Sequence, residues 1–240
     1  MDIFLLNIDF SRCHSDPNFY TKKVGNHLII LVLYVYDLIL TGSDPKLITH
    51  VKSSLKQNFE MSDLGHLHYF LGLQVLRSKK GISLSQSKYA CDLLRRFHME
   101  DCKPAPSPFQ SRVKLSATCT SPKVDATLYR QLVGSLLYLN RSLLDLSFAI
   151  ACVASYMQTP HESHWKAAKR ILRYIRGKIQ FGIHYSTRGT PLLVGFTDSD
   201  WADNPDDRNS TAGYVFILGS GPVTWDCKKQ QARALSSAEA

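Results

Sequence analysis

The chain has 240 residues, of which 44% are hydrophobic and 10% are aromatic. This composition excludes an extended disordered chain and allows one large domain or two small ones, with a sizeable hydrophobic core. The formal net charge of +9 comes from 29 lysines and arginines against 20 aspartates and glutamates. Such an excess favours a polyanionic partner such as nucleic acid, although many soluble proteins are mildly basic.

The cysteines and the apolar runs indicate a cellular setting. Six cysteines are dispersed along the chain without a CxxC pair. A zinc site needs closely spaced ligand pairs, so this pattern indicates free thiols in a reducing compartment. The N-terminus carries no secretory signal, and no apolar run approaches the roughly 20 residues that cross a bilayer. We therefore expect an intracellular protein without a membrane partner, in either the cytoplasm or the nucleus.

The most apolar stretch of the chain, residues 27–44, follows a short helix-like patch and a turn at 15–18. The apolar run from Leu28 to Val35 predicts a strand buried on both faces, and a second apolar run begins after Asp37. The two runs predict a hairpin that carries a carboxylate at its tip. Because burying a lone carboxylate is costly, Asp37 is expected either to be exposed at the turn or to bind a cation.

The next region predicts helices that alternate with antiparallel strands. Asp44-Pro45 is a strong helix start, and apolar residues at helical spacing extend that helix over 45–59. Strands are predicted over 66–78 and 82–86, and Ser87 is the predicted cap of another helix. This order indicates an α+β layer with an antiparallel sheet.

Residues 101–124 interrupt this alternation. Prolines alternate with other residues over 103–108, and Ser, Thr and Lys dominate the following positions. Each proline fixes its own φ and disfavours helix in the residue before it, so this segment is interpreted as a connector. From residue 125 to about residue 177, three helices are predicted, the last of them over 162–176.

The helix predicted over 162–176 carries five cations at spacings of three and four residues. They are Lys166, Lys169, Arg170, Arg173 and Arg176. The stripe is a candidate surface for tracking nucleic-acid phosphates. A solvated helix face without a ligand is the alternative, and the lack of acidic partners at i,i+4 favours nucleic acid over it.

The last block, residues 192–240, predicts an antiparallel meander of three short strands. Residues 236–240 have the pattern of a first helical turn with a serine cap. Residues 206–208, with the sequence Asp-Asp-Arg, predict a turn with a local ion pair rather than a cation site. His161 and His164 lie near a helix start, but no third ligand completes a metal site with them.

Collinear segments over nearly the whole chain resemble one known family. The hairpin 34–42 resembles the Tyr-Val-Asp-Asp box of copia-type retrotransposon reverse transcriptases, and the block from Asp198 resembles the adjoining ribonuclease H domain. The segments that resemble these Pol polyproteins are residues 34–42, 63–65, 69–72, 84–86, 129–139, 164–174, 198–202, 206–208, 210–214, 228–230 and 234–240.

The resemblance implies an α+β fold: an incomplete reverse-transcriptase palm with antiparallel hairpins, a helical connection, and a truncated ribonuclease H-like β-meander. The implied parts are a partial palm over 1–100, a Pro/Ser-rich connector over 101–124, a helical thumb or connection region over 125–185, and the start of a ribonuclease H domain over 190–240. The implied partners are RNA, DNA and RNA–DNA hybrids, together with other parts of a Pol polyprotein. Two Mg²⁺ ions would support phosphoryl transfer, without a small-molecule cofactor.

The polymerase carboxylates of this family are only partly matched. Three aspartates hold the metals in the family, one of them on a strand upstream of the residues present here. Asp37 matches the second member of the adjacent pair, and Tyr36 stands at the first position, a lost ligand. The phenol of tyrosine is neutral at pH 7 and does not replace a Mg²⁺ ligand. We therefore expect no DNA polymerase activity from this chain alone.

The ribonuclease H carboxylates are matched in a similar way. Asp198 matches the first catalytic carboxylate, and Glu239 lies close to the position of the second. Glu239 is either that ligand or a helix charge beside a ligand that would follow Ala240. Residues 142–145 have lost the Arg and the Pro of the family, which should weaken the start of a helix. The expectation is an inactive fragment; the alternatives are a non-catalytic nucleic-acid-binding remnant and a translated relic without a role.

Overall fold

The computed structural model describes residues 1–110, 113–202 and 204–239, and the chain forms two compact units, Met1–Leu67 and His68–Ala240. We call them the N-terminal unit and the C-terminal unit. Within the described residues, no helix is long and apolar enough to cross a membrane. The expectation of an α+β chain with antiparallel sheets is confirmed, since all strand pairs in both units are antiparallel.

The N-terminal unit is a four-stranded sheet with two helices. Its elements are α1 (Asp2–Asn7), β1 (Ser11–Arg12), β2 (Phe19–Val24), β3 (His27–Tyr34), β4 (Asp37–Gly42) and α2 (Pro45–Asn58). The strands follow the order β1-β2-β3-β4, and β1 and β2 extend the hairpin that the sequence predicts. Leu5 from α1 and Val51 and Leu55 from α2 pack on the sheet to form the core of this unit.

The hairpin of β3 and β4 has the predicted position, but its strands are not buried on both faces. Ile29 and Leu31 are buried in the core, whereas the alternating residues of β3 are partly or fully exposed. The expectation of a doubly buried strand is therefore wrong. An antiparallel sheet can bury one face against helices and leave the other open, and an apolar run alone does not distinguish the two cases.

Helix α2 confirms the prediction for residues 45–59 to within one residue. The Asp44 side chain accepts a hydrogen bond from the Lys46 N–H at 2.8 Å, and Pro45 occupies the first helical position. Both features satisfy or remove backbone donors that a helix start leaves unpaired. The local sequence was therefore sufficient to position this helix.

The C-terminal unit contains two sheets and a helical core. Its elements are β5 (Tyr69–Phe70), β6 (Leu73–Ser78), β7 (Gly81–Ser85), α3 (Ser87–Arg96), α4 (Ala126–Leu139), a 3-10 turn (Leu144–Leu146), α5 (Ser147–Ala154), α6 (Glu162–Arg176), β8 (Gly182–Ser186), β9 (Leu193–Ser199), β10 (Thr211–Leu218) and β11 (Gly221–Lys229). The first sheet has the order β5-β6-β7-β8 and the second has the order β11-β10-β9.

The strand predicted over 66–78 is broken into β5 and β6. The chain reverses at Leu71 and Gly72, which have φ values of 47° and 79°. Glycine adopts a positive φ without a steric penalty, and a Cβ at Gly72 would lie 1.8 Å from the hydroxyl oxygen of Tyr138. The turn is therefore fixed by α4 as well as by the local sequence.

The helices of the C-terminal unit form its core, and their ends agree with the sequence prediction for α6 but not for α5 and α3. Helix α6 has the predicted bounds, while α5 is shorter than the apolar pattern around it. Ser87 is the first residue of α3 and makes no capping hydrogen bond, so the predicted cap is wrong; Gln86 holds the cap position. The buried side chains of this core include Leu93, Leu94, Tyr129, Leu132, Val133, Leu136, Leu146, Ile150, Val153, Ala168, Ile171, Leu172 and Ile175.

The connector over 101–124 has no helix or strand in its described part; Ser111 and Arg112 lie outside the described residues. It is nevertheless packed against the helices. Ala105 and Leu115 are buried, and the Ala105 N–H donates to the backbone oxygen of Arg173 at 3.1 Å. The connector is thus an integral layer of the C-terminal unit.

The three strands predicted in the last block are confirmed as β9, β10 and β11. Trp225 on β11 donates from its indole Nε1 to the backbone oxygen of Asn140, which ties the meander to the end of α4. The helical turn predicted over 236–240 is not formed in its described part, where Glu239 N–H bonds to Ser236 oxygen in a turn. Ala240 lies outside the described residues.

Candidate functional site

The tip of the β3–β4 hairpin presents the residues that match the polymerase box. Tyr34 pairs with Asp37 across the hairpin, and Val35 and Tyr36 form the turn between them. Val35 has a φ of 53°, an unfavourable region for a β-branched residue. Tyr36 is 98% exposed. The turn therefore holds the tyrosine in solvent, outside the core of the unit.

Asp37 is exposed at the first position of β4, as one of the two sequence expectations states. Among the described residues, no side chain or backbone group forms a hydrogen bond or an ion pair with its carboxylate. A single carboxylate at a solvated turn provides weak attraction for a hard cation, which usually receives several oxygen ligands. The geometry supplies one candidate ligand at this position.

Asp198, the candidate ribonuclease H carboxylate, lies near the end of β9 and is exposed. It is paired in register with Gly213 of β10. The Ser199 N–H donates to Asp198 Oδ1 at 2.9 Å, so the carboxylate satisfies a backbone donor of its own strand. This contact gives Asp198 a structural role that does not depend on a metal.

Glu239 follows the meander in an irregular segment. Its Oε2 accepts a hydrogen bond from the Leu235 N–H at 2.7 Å. Over residues 1–110, 113–202 and 204–239, no three His, Cys, Asp or Glu side chains are grouped closely enough to hold a metal ion. The residues present therefore do not fit a two-metal Mg²⁺ centre, which needs clustered carboxylates, and no catalytic step is assigned through such a centre.

The basic stripe of α6 differs from its prediction in one respect. Lys166 forms an ion pair with Glu162 at 2.8 Å, an i,i+4 pair on the helix surface. The statement that the stripe lacks acidic i,i+4 partners is therefore wrong. Lys169 lies over the ring of Trp165 at 5.3 Å from its centroid, a cation–π contact.

The three arginines of the stripe contact the connector or the residue that precedes it. Arg173 Nε donates to the backbone oxygen of Lys103 at 2.8 Å, and Arg176 Nε donates to that of Glu100. Arg170 donates from one terminal nitrogen to Ser107 Oγ at 3.0 Å. These contacts give the arginines a packing role, and nucleic-acid binding by the five cations stays a prediction.

The best-connected carboxylate of the C-terminal unit is Asp206, which the sequence assigns only to a local turn. It accepts hydrogen bonds from Ser116 Oγ at 2.6 Å, from the Ala117 N–H at 2.9 Å and from the Tyr156 hydroxyl at 3.2 Å. Burial alone would raise the pKa of Asp206, but these donors together outweigh it and hold the pKa below its usual value. The ion pair predicted within the turn 206–208 is not observed among the described residues, since Asp207 pairs with Lys229 of β11 at 2.5 Å.

His164 lies beside this group of contacts and is fully buried. Its ring stacks on that of Tyr156 with centroids 4.0 Å apart. Nδ1 accepts a hydrogen bond from the His161 N–H, so Nε2 carries the proton that bonds the Ser116 oxygen at 3.1 Å. Burial lowers the pKa of His164. Both ring nitrogens of the neutral imidazole are used structurally.

The altered segment 142–145 is accommodated in the core. Leu143 is buried, and the Ser142 hydroxyl donates to Gln86 Oε1 at 2.8 Å. Asp145 accepts a hydrogen bond from the Tyr174 hydroxyl. Burial, with a further contribution from Asp145, raises the pKa of Tyr174 to about 12. The 3-10 turn begins within this segment and α5 follows it at Ser147, so the helix start is formed without the Arg and the Pro.

The comparison with known families matches residues 1–111 to a model described as reverse transcriptase (RNA-dependent DNA polymerase). An uncharacterized mitochondrial protein of Arabidopsis thaliana is 37% identical over 87% of this chain and 87% of its own length. The Pol polyproteins of the Arabidopsis transposons RE2 and RE1 are 38% and 39% identical over 99% of this chain. The chain belongs to the retrotransposon Pol polyprotein family.

This family assignment confirms the resemblance found in the sequence. The chain spans only 16% of the RE1 and RE2 polyproteins, so it corresponds to a small part of a retrotransposon Pol polyprotein. The match to the reverse transcriptase model includes the hairpin with Tyr36 and Asp37. No solved structure matches the chain.

Proposed function

We propose that this chain is a catalytically inactive reverse transcriptase and ribonuclease H fragment of a retrotransposon Pol polyprotein. The proposal is carried by the hairpin tip, where the exposed phenol of Tyr36 occupies the position of a metal-binding carboxylate. In the intact family the paired functions would be RNA-directed DNA synthesis and hydrolysis of RNA–DNA hybrids. Both depend on Mg²⁺ held by several carboxylates.

The chemistry of the remaining residues supports inactivity. Two metals stabilise the attacking and the leaving oxygen, and clustered carboxylates hold them against mutual repulsion. Asp37 has no second carboxylate beside it on the hairpin, and Asp198 is engaged with the Ser199 N–H. The residues that would bind a metal are thus single groups on two separate strands.

A primer-extension assay tests the polymerase part of this proposal. The chain, its Asp37→Ala variant and its Tyr36→Asp variant would each be supplied with a primed RNA template, nucleotides and Mg²⁺. We expect no incorporation by any of them, because one or two adjacent carboxylates do not complete the site. Incorporation by the unaltered chain that disappears in Asp37→Ala would refute the proposal.

A hybrid-cleavage assay tests the ribonuclease H part in parallel. The substrate is an RNA–DNA hybrid with labelled RNA, and the comparison is between the chain and its Asp198→Asn and Glu239→Gln variants. We expect the RNA to remain intact with the chain and with both variants. Cleavage that requires Mg²⁺ and is lost in Asp198→Asn would show that the fragment retains this activity.

A second candidate function is binding of RNA, DNA or their hybrid without catalysis. It is supported by the net charge of +9 and by the side chain of Lys166, which is 72% exposed despite its ion pair. Cations near a polyanion release bound counterions, so the affinity should fall steeply with salt concentration. The six cysteines, dispersed without a CxxC pair, support a reducing, intracellular setting for either function.

Fluorescence anisotropy with a labelled RNA–DNA hybrid tests this candidate. We expect the double variant Lys166→Gln/Lys169→Gln to bind more weakly and with a smaller salt dependence. The matched control is Lys46→Gln/Lys56→Gln, which removes the same charge from exposed positions of α2. Equal weakening by both double variants, or no binding at low salt, would count against a site on α6.

A further inference from the structure

The hydroxyl of Ser107 in the connector lies against the guanidinium of Arg170 on α6. Arg170 Nη2 donates to Ser107 Oγ at 3.0 Å, and the hydroxyl itself donates to the backbone oxygen of Phe109 at 2.9 Å. Ser107 is partly buried and lies in a bend between elements. The contact therefore joins a partly accessible serine to a charged side chain of the helical core.

Arg170 also has a donor that the folded chain does not use. Its Nε is buried and, within the part of the chain that the structure describes, has no hydrogen-bond partner. Nε–H and Nη2 lie on the same edge of the planar guanidinium, and this edge can bind two oxygens of one phosphate or carboxylate side by side. The Ser107 hydroxyl offers it one oxygen. A buried donor without a partner is costly, so the second position on this edge requires an explanation.

The two segments that meet here carry no anion of their own. On α6, the positions three and four residues from Arg170 hold lysine, alanine, arginine and tyrosine. The connector over residues 102–110 contains no aspartate or glutamate. Neither segment thus supplies a carboxylate for the guanidinium edge, and the local charge favours a group that brings negative charge to it.

Ser107 is followed by a proline, the dipeptide that proline-directed protein kinases modify. The sequence contains one other serine–proline dipeptide, Ser121-Pro122, in the same connector. The Ser121 hydroxyl lies 3.4 Å from Ser163 Oγ and 3.3 Å from the Cys119 thiol, and neither of these groups is a cation. Of the two serines, Ser107 is the one whose hydroxyl contacts a guanidinium.

We propose that Ser107 is a phosphorylation site and that the Nε–Nη2 edge of Arg170 binds the resulting phosphoserine. The co-reactant is ATP, and the catalyst is a proline-directed protein kinase. Ser107 Oγ forms a bond to the γ-phosphorus, and the bond from that phosphorus to the bridging oxygen breaks. ADP leaves, and a base of the kinase takes the hydroxyl proton. The phosphate then offers the edge two oxygens in place of one.

The exchange of contacts favours the modified connector. Phosphorylation removes the hydroxyl proton, so the hydrogen bond to the Phe109 oxygen is lost. In return the phosphate accepts from both nitrogens of the Arg170 edge, and hydrogen bonds between charged groups are roughly twice as strong as neutral ones. Phosphorylation should therefore hold the connector more firmly to α6.

A kinase assay on the whole folded chain tests the modification. The unaltered chain, Ser107→Ala and Ser121→Ala are each incubated with ATP and a proline-directed kinase, and peptide mass spectrometry locates and counts the phosphate. We expect phosphate on Ser107 in the unaltered chain and in Ser121→Ala, and none at this position in Ser107→Ala. An unaltered chain that stays unmodified at Ser107 would overturn the proposal.

The role of Arg170 is tested on a chain that carries phosphoserine at position 107. Modified and unmodified forms are compared in the unaltered chain, in Arg170→Gln and in Lys169→Gln. The matched control Lys169→Gln removes the same charge from the adjacent residue, whose ammonium lies over the Trp165 ring. Phosphorus NMR follows the titration of the phosphate, limited proteolysis follows the connector, and circular dichroism checks folding.

In the unaltered chain, the second pKa of the phosphate should lie below that of a free phosphate monoester, because the guanidinium stabilises the dianion. Phosphorylation should slow cleavage of the connector at least about fivefold. Both effects should persist in Lys169→Gln and be largely lost in Arg170→Gln. If Arg170→Gln does not fold, Arg170→Lys gives the comparison, since it keeps the charge but not the paired donors.

Two results would contradict the role of Arg170. The first is a phosphate that titrates alike in Lys169→Gln and in the folded Arg170 variant. The second is a connector that is cleaved as fast with the phosphate as without it. Either result would show that the guanidinium edge does not bind the phosphoserine.

Discussion

The single proton of the Tyr156 hydroxyl is shared between the Leu115 backbone oxygen at 2.8 Å and the Asp206 carboxylate at 3.2 Å, which joins the segment after α5 to the turn between β9 and β10. The same carboxylate accepts from Ser116 and Ala117 of the connector. One acidic residue thus holds together three segments that are far apart in sequence. The meander is anchored to the helical core through this residue.

Asp206→Asn should lower the free energy of unfolding of the C-terminal unit by about 1 to 2 kcal/mol at neutral pH, because three donors lose a charged acceptor that is partly exposed to water. Urea denaturation measures the change. Since the pKa of Asp206 is lowered in the folded state, its contribution is present above the usual value of about 4 and is lost as the pH falls below it. The difference between the two proteins should therefore shrink in acid.

Asp101→Asn is the matched control for that change. It removes the same charge from an exposed residue of the same unit. We expect an effect within about 0.5 kcal/mol. Equal losses in the two variants would show that net charge, rather than the contacts of Asp206, determines the stability.

Stability of the C-terminal unit should also fall on mild acidification because of His164. Burial lowers its pKa in the folded state, so below about pH 6.5 the unfolded chain binds a proton that the folded chain does not. The contribution of the neutral ring to the free energy of unfolding is complete above that pH and decreases as the pH drops. Urea midpoints measured from neutral pH to about pH 5 follow the effect.

His164→Gln should be less stable than the unaltered chain at neutral pH and should lose most of this pH dependence. His98→Asn serves as control, because His98 is exposed and has a positive φ of 52° that asparagine tolerates. The control should keep the dependence of stability on pH. If stability falls equally steeply with pH in the variant without His164, another group causes the dependence.

Two glycine substitutions should act in opposite directions. Gly72→Ala should destabilise the unit by about 2 kcal/mol or more, because the residue has a positive φ and the new Cβ meets the Tyr138 hydroxyl. Gly134→Ala lies within α4 with no atom near its Cβ, and should stabilise the unit by about 0.5 to 1 kcal/mol. Thermal melts measure both.

Combining Gly72→Ala with Tyr138→Phe tests the cause of the first effect. The phenylalanine removes the oxygen closest to the new Cβ, so the double variant should lose less stability than the two single losses added together. Strict additivity would mean that the backbone conformation at Gly72 carries the whole cost.

The double variant Arg173→Gln/Arg176→Gln should release the connector from α6. Arg173 donates to a carbonyl of the connector and Arg176 to that of Glu100 just before it, so we expect a loss of about 1 kcal/mol for each change. Limited proteolysis should cleave residues 101–124 faster than in the unaltered chain. Lys166→Gln is the control, because its exposed ion pair contributes little stability. Unchanged cleavage in the arginine variant would contradict a packing role.

The sequence predicted those helices and strands whose start residues and apolar spacing all lie within one segment of the chain. Helices α2 and α6 have a start signal followed by apolar residues at helical spacing, and both lie where the sequence predicts them. Strand β8 was not predicted. Its Ile183 and Tyr185 alternate with polar residues, but five residues give a short signal, and the strand gains its order from pairing with β7. The register joins Ser83 to His184, about a hundred positions along the chain.

The candidate site likewise combines features that a local pattern predicts with contacts that only the fold brings together. The position of Asp37 at an exposed turn follows from the apolar runs that flank it, and the structure confirms it. The role of Asp206 depends on Ser116, 90 residues away, and no local pattern encodes that contact. The stripe on α6 was recognised from its spacing, but the spacing did not reveal that a connector would receive its arginine donors.

The turn at Val35 offers a practical route into the N-terminal unit. A β-branched residue with positive φ stores about 1 to 2 kcal/mol of backbone strain, and the following tyrosine is surrounded by solvent. A short peptide inserted there would relax the strain while leaving the ladder of β3 and β4 intact. The hairpin tip is therefore the natural position for an epitope or a reporter loop, because lengthening an exposed turn costs little closure entropy.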